Sequence, residues 1–275
     1  MNIFKENVFI FLDFMKKLFR GRYMLKMMAL RELKASYVGS VFGVIWAVLN
    51  PLFLLVIYGV VFGIFFGSTP DPGYKTENFF LFLLCGIVPW QFFAQTTVSS
   101  SRSVSKNSSL IKKAMGFPSE ILPIVTVVSN LVSHIISMIL LVLVLVIMAG
   151  KVPVFLPLAL VYLFFITLFS IGLGWMLSSM NVFLRDIEQV VDIVMMGWFF
   201  LTPVIYSPSI VPENILPVMK LNPLYHMVEG YRLALLAGQA LPLKETVYLF
   251  GVSFVTLAVG GVFFRKLKPW FAEVL

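Results

Sequence analysis

The chain has 275 residues, of which 60% are hydrophobic and only 12% charged, and its mean hydropathy is +0.96. Soluble domains carry about a quarter charged residues, so this composition excludes that class and points to a protein embedded in lipid. The formal charge of +8 reads as basic loops beside a membrane rather than a nucleic-acid surface; the single Cys85 excludes an intrachain disulfide, and two well-separated histidines, His134 and His226, offer no metal cluster.

Residues 1–38 read as an interfacial segment. On a helical wheel Lys5, Glu6, Asp13, Lys16, Lys17 and Arg20 share about 120°, while Phe4, Val8, Phe11, Met15 and Phe19 belong to the apolar remainder. That pattern predicts an amphipathic helix lying in the membrane surface, with packing on a soluble core as the alternative. Asp13 and the basic residues after it argue against a cleavable signal.

Six apolar runs follow, measured against the roughly 20 residues that cross about 30 Å of hydrocarbon. They run from Val41 to Phe66, Phe79 to Val98, Ile121 to Ala149, Phe155 to Met180, Val190 to Ile205 and Thr246 to Phe264. The fold class is therefore all-α: one membrane domain over 1–275, with the spans in 39–265 and a cytoplasmic tail at 266–275. Sixteen Lys and Arg residues fall on the side of the termini against five on the other, which predicts cytoplasmic termini.

Between the fifth and sixth runs, Pro203, Pro208, Pro212, Pro217 and Pro223 divide an apolar outer segment into short pieces. Asn222-Pro223 reads as an N-cap with proline at the first helical position, and Gly238 as the stop. The helix between them, Leu224 to Ala237, would pair Glu229 with Arg232 and dip back into the outer leaflet.

Ion-coupled carriers place ionisable groups at the bilayer midplane, and these runs have no carboxylate near their centres. Asp192, toward the cytoplasmic end of the fifth, is the nearest; reaching the interface or pairing with Arg185 is its expected role, with a relay role as the alternative. Asn130, Ser133, His134 and Ser137 form a polar cluster in the third run that suits interhelical hydrogen bonds. No G-x-x-x-x-G-K-[ST] phosphate loop and no catalytic constellation occurs, so the chain is not expected to be an enzyme, and any nucleotide would be hydrolysed by another polypeptide.

Five segments carry a resemblance. ALRELKASYVGSVFGVIWAVLNPLFLL from Ala29 holds Arg31, Leu33, Lys34 and Tyr37, then Gly43, Trp46 and Pro51. LCGIVPWQFF starts at Leu84, SLIKKAMGFPSEILP at Ser109, NVFLRDIEQV at Asn181 and NPLYHMVEGYR at Asn222. Together, and in this order, they resemble the type-2 ABC transporter permeases of the polysaccharide-export family, and the ending KLKPWFAEVL is more similar to the O-antigen exporters than to the teichoic-acid ones. Met115-Gly116 before Phe117 departs from the shorter approach in many relatives.

The resemblance implies a homodimer bound to two ATP-binding cassette subunits, which hold ATP and Mg, in the inner membrane. The substrate it implies is a lipid-linked polysaccharide, such as O-antigen on undecaprenyl pyrophosphate; teichoic acid, capsule, or another amphiphile such as a drug or lipid is the alternative, and a motorless channel or carrier a third class. It also implies that the N-terminal helix and the loop of Ser109, Leu110, Lys112, Lys113, Phe117, Pro118 and Glu120 meet the ATPase. Large amphipathic aromatics away from the interfaces suit a sliding glycan, which singles out Tyr58 and Trp198, with Trp46 and Tyr206 nearer the ends of the path; core packing is their alternative role. Arg31 and Lys34 are candidate contacts to the lipid pyrophosphate, or ordinary positive-inside residues. Pro51 removes a backbone hydrogen bond inside the first span, which predicts a hinge or a static kink.

Overall fold

The computed structural model describes residues 21–37, 45–65, 70–113, 117–150 and 152–275. The amphipathic helix expected before Arg20, both ends of the first apolar run with Gly43, and Met115-Gly116 lie outside the described residues. Helix α1 is Arg22–Tyr37. Helix α2, Trp46–Tyr58, carries Pro51 in its second turn and passes into a π-helical stretch, Gly59–Phe65. The bundle continues with α3 (Phe79–Lys106), the short α4 (Ser108–Lys113), α5 (Ile121–Ala149), α6 (Leu156–Phe183) and α7 (Ile187–Leu201). Two outer pieces, α8 (Leu216–Met219) and α9 (Pro223–Arg232), lead to α10 (Leu243–Leu267) and α11 (Phe271–Val274).

Among the described residues, the segments containing α3, α5, α6 and α10 are long and apolar enough to cross a membrane. The protein is thus an all-α, multi-pass membrane protein. Alternation of chain direction puts α1, α4, the start of α5, the start of α7 and α11 at one end, here the basal end, and α8 and α9 at the other. Helix α3 is the centre: 78% of its most apolar window is buried, against 22% for α5, and it packs on α5, α6, α7 and α9. Exposed Ile139, Leu143 and Ile147 on α5 and Val247, Phe250 and Phe254 on α10 give these helices apolar outer faces suited to lipid.

Helices α6 and α10 approach so closely that a Cβ on Gly260 would lie 2.1 Å from the Gly172 carbonyl oxygen, and one on Gly172 would meet the Thr256 backbone at 2.5 Å. Small residues permit this contact in a lipid-facing pair, where dispersion rather than water exclusion holds helices together. Gly86 does the same for the outer cap, since a Cβ there would lie 2.8 Å from the Val204 carbonyl oxygen and 2.6 Å from the Arg232 guanidinium.

Three sequence expectations change. The second run does not stop at Val98: the serines that follow keep the helix going to Lys106 by turning their hydroxyls onto backbone carbonyls, Ser101 to Val98 and Ser103 to Ser100, both at 2.7 Å. Arg102 and Lys106 are therefore helix residues, not loop residues. The helix of the fifth run begins at Ile187 and ends at Leu201, because Thr202 turns extended and Pro203 cannot continue a helix. Its 15 residues reach about 22 Å, short of the hydrocarbon thickness. Asp192 pairs with Arg102 rather than Arg185.

The outer helix forms where its caps place it. The Asn222 side chain accepts from the Leu224 N–H at 3.0 Å, Pro223 is the first helical residue, and Gly238 closes the end at φ 66°. Its last turn, Leu233–Ala237, is π-helical.

Candidate functional site

Tyr58 of α2, Trp90, Gln91 and Gln95 of α3, and Met195 and Phe199 of α7 line a groove of about 530 Å³ on one flank of the bundle. Its wall is a run of rings. Tyr58 stacks on Phe199 with centroids 5.7 Å apart, Phe199 lies 5.5 Å from Trp90, and Trp90 lies 5.9 Å from Phe93. Trp90 and Phe199 are buried, Tyr58 half-buried. Gln91 and Gln95 stand four residues apart on one helix, so their amides share a face. A groove floored by rings and edged by two neutral amides suits a ligand with apolar C–H faces and many hydroxyls.

At the basal end α1, α3 and α5 enclose a second pocket, of about 370 Å³, polar rather than aromatic. Arg31, Arg102 and Lys106 line it with the carboxylate of Glu32. The Thr126 hydroxyl donates to Glu32 at 3.2 Å. Burial pushes the Glu32 carboxyl above its ordinary range, and the Thr126 bond and the Lys106 charge pull it partly back. Arg102 reaches out of this pocket to α7, bonding Asp192 and lying 3.6 Å from Glu188. Glu188 in turn accepts from Asn181 at 2.9 Å.

The loop between α3 and α5 is anchored at its far end. Buried Glu120 takes Lys268 of the tail as an ion-pair partner, and its carbonyl accepts the Trp175 indole N–H at 3.0 Å. Phe117 packs on the basal core cluster with Val104, Ile121 and Phe271, while α11 touches α4. Ser109, Lys112 and Lys113 are left exposed, Leu110 and Pro118 half-buried.

The outer cap is centred on Arg232, which is fully buried. Its guanidinium donates to the Pro203 and Val204 carbonyls, each at 2.6 Å, sits 3.7 Å from the Phe82 ring centroid, and lies 3.7 Å from Glu229. One side chain thereby joins α9, the turn after α7 and α3. On the same cap His226 contacts Glu245 at 3.2 Å and the Lys220 carbonyl at 2.7 Å.

Of the aromatics singled out by sequence, Tyr58 lines the groove. Trp198 stands behind it, edge-on to Phe93 at 5.3 Å, with its indole N–H donating to Asn222 at 3.0 Å. Tyr206 donates to the Phe200 carbonyl at 2.8 Å and ties the outer turn to α7. Trp46 is exposed in the first turn of α2, outside the groove lining. Arg31 lines the basal pocket and Lys34 does not. Pro51 lies within α2, about two turns before the π-helical stretch. His134 of the third-run polar cluster is buried, its ring 4.9 Å from Phe92 and its Nε2 3.0 Å from the Tyr231 hydroxyl, a bond between α5 and α9.

Sequence reasoning missed Trp90, Phe199, Gln91 and Gln95 as groove residues, and it read Arg232 without its burial. The signal for the first group was present: paired amides at helical spacing beside an aromatic, inside an apolar helix. Arg232 was legible only as a partner of Glu229, because burial under Phe82 depends on how α3 and α9 meet.

The ABC-2 type transporter family model matches residues 23–236. The chain is 30% identical to the O-antigen export system permease protein RfbA of Klebsiella pneumoniae, over 89% of this chain and 92% of the relative. Identity is also 30% to the Myxococcus xanthus protein of that name, over 94% and 97%. The polysialic acid transport protein KpsM of Escherichia coli is 24% identical over 86% and 90%. A helical bundle of membrane-spanning length, with a ring-lined groove on its flank and no phosphate loop in its sequence, agrees with these matches: the chain belongs to the ABC-2 type transporter family, as a non-catalytic permease subunit of the inner membrane.

Proposed function

We propose that the protein is the permease of an ATP-driven exporter that carries a lipid-linked polysaccharide, of the O-antigen kind, outward across the inner membrane. The observation that carries this reading is the groove formed by Tyr58, Trp90, Phe199, Gln91 and Gln95. Sugar rings present C–H groups to aromatic faces and hydroxyls to amides. Several weak contacts of this sort hold a polymer without fixing it at one place, as a sliding substrate requires. The export permeases this chain resembles support the same substrate class.

In this reading the chain crosses the membrane six times, with α2 and its π-helical extension as the first span and α7, completed by the turn after Leu201, as the fifth. The basal end is cytoplasmic, because the basic residues concentrate there. The groove is open on one flank, and a second copy facing it closes a channel; twofold homodimers are the commonest closed assemblies. Two ATP-binding cassette subunits bind ATP and Mg and press on α4 and the Phe117-Pro118 turn, whose anchorage by Glu120–Lys268 passes the movement into α5 and the tail. The piece from α8 to α9 re-enters the outer leaflet, and Arg232 fixes it to the turn after α7 and to Phe82 of α3.

Depleting the protein in its host, with surface polysaccharide and the intracellular lipid-linked pool both quantified, tests the assignment. Loss at the surface with accumulation inside is the expected result. Unchanged pools in a host with no second exporter would remove the glycan and leave another amphiphile as the substrate.

A further inference from the structure

Helix α4 is six residues long and none of them is buried. So short a helix does not hold its place in water unaided, and its position is set by what it packs on. Asn107 ties its start to α3: the Asn107 carbonyl accepts the Leu110 N–H at 3.0 Å, and the Asn107 amide donates to the Ser103 carbonyl at 2.8 Å. Beyond that joint, α11 is the one described element that packs on α4 more than in passing. Ile111 of α4 and Leu275 both lean on the basal cluster that holds Phe271.

The tail reaches this place because Pro269 lacks the N–H that would continue α10 in register. The chain passes from Leu267 through the 3-10 turn Lys268–Trp270 into α11. Phe271, 1% exposed, meets Phe264 of α10 edge-on at 5.3 Å and Phe183 at the basal end of α6 at 6.2 Å. Lys268 pairs with the carboxylate of buried Glu120, the residue just before α5, whose carbonyl holds the Trp175 indole of α6. An ion pair with one partner buried is hard to give up, since its loss leaves a carboxylate with neither water nor counter-charge. The tail thus joins α4 to the basal ends of α5, α6 and α10.

We propose that Lys268 to Leu275 brace α4 against the bundle, with Lys268 and Phe271 as the positioning residues. A load applied to α4 then passes through Phe271 and the Glu120–Lys268 pair into three long helices at once. Packed interiors transmit strain with little give, whereas a short helix held only through Asn107 tilts under the same load. The consequence for transport rests on the reading of the chain as an ATP-driven permease: without the brace the motor turns over but its movement is spent in bending the loop. The bracing itself does not depend on that reading.

The test uses the full-length protein in nanodiscs, with a nitroxide label on Ser109→Cys in exposed α4; Cys85 is fully buried and stays unlabelled. Lys268→Gln makes the label mobile by its electron paramagnetic resonance line shape, and Lys268→Arg, which keeps the pair, leaves it as in wild type. The same label on Lys244→Cys, at the outer start of α10, is unchanged by either. Glu120→Gln loses the pair without stranding a buried charge and gives the same loosening, so it decides the outcome if the melt shows Lys268→Gln to be misfolded. In exporting cells Lys268→Gln lowers surface polysaccharide between about twofold and thirtyfold, the span expected for one side chain of a coupling network. The complex purified with its ATP-binding cassette subunits keeps its ATP hydrolysis, and Lys268→Arg restores export. A label equally immobile in wild type and both pair-breaking variants overturns the brace. A loosened label with full export, or hydrolysis and export lost in parallel, overturns the positioning role. Unchanged polysaccharide pools on depletion would remove the glycan reading, and the label result would still stand or fall by itself.

Discussion

Arg232 shows how much one buried charge decides in a structure that has few of them. Its two short bonds to the Pro203 and Val204 carbonyls satisfy acceptors that the proline-rich turn cannot satisfy within itself, and Glu229 supplies the opposite charge. Arg232→Ala therefore strands two carbonyls and a buried carboxylate, and a loss of about 3 kcal/mol or more is expected in thermal or denaturant unfolding in detergent. Adding Glu229→Ala should recover part of that loss, because the stranded charge goes with it. A double variant less stable than Arg232→Ala alone would contradict this account. Glu32 makes the converse case. Burial raises its proton affinity in the folded protein, so protonation favours the folded state, and its contribution to stability falls as pH rises from the ordinary glutamate value of about 4.3 toward neutrality. The melting midpoint should fall over that interval in the wild type and fall less in Glu32→Gln, measured in the same detergent across pH.

At the scale of elements, hydrophobic periodicity and caps made most of the bundle legible. Asn222, Pro223 and Gly238 delimit the outer helix as their chemistry requires, and α5 and α6 lie within a few residues of their apolar runs. The reading failed where polarity stopped being informative. The serine-rich stretch 99–105 looks like loop, yet the Ser101 and Ser103 hydroxyls bond to their own helix, and α3 carries Arg102 and Lys106 onward. In the fifth run the apolar residues continue past Leu201 while the backbone does not, because Pro203 ends the helix whatever its hydropathy. The contact of α6 with α10 was not legible at all, since glycine spacing names a partner only once both helices are placed. Gly260→Val would drive a side chain into the Gly172 carbonyl and should lower the melting midpoint by several degrees, whereas Gly251→Ala, with nothing within 4 Å, should leave it near wild type. Equal effects at both positions would contradict the packing described.

Over the whole molecule, the features that the proposed function uses are divided between two ends and one flank. The basal end gathers the cationic pocket and the anchored α4 loop, the outer end is locked by Arg232, and the ring-lined groove joins them along α3 and α7. Sequence alone indicated Tyr58 and Arg31 because aromatic and basic residues are rare enough, in their places, to be noticed. It set Tyr58 ahead of Trp46 by distance from the interfaces, but it did not show the partner that makes Tyr58 a wall of the groove, because that depends on the approach of α7.

The central claim is that a glycan travels along that groove. The most direct measurement replaces Gln95, exposed within it, by the photoreactive p-benzoyl-phenylalanine in cells that are exporting polysaccharide, with Phe254 on the outer face of α10 replaced in parallel. After irradiation, the account predicts a carbohydrate-positive adduct of raised mass at position 95 and none at position 254. Carbohydrate captured equally at both positions, or at position 254 alone, would contradict it.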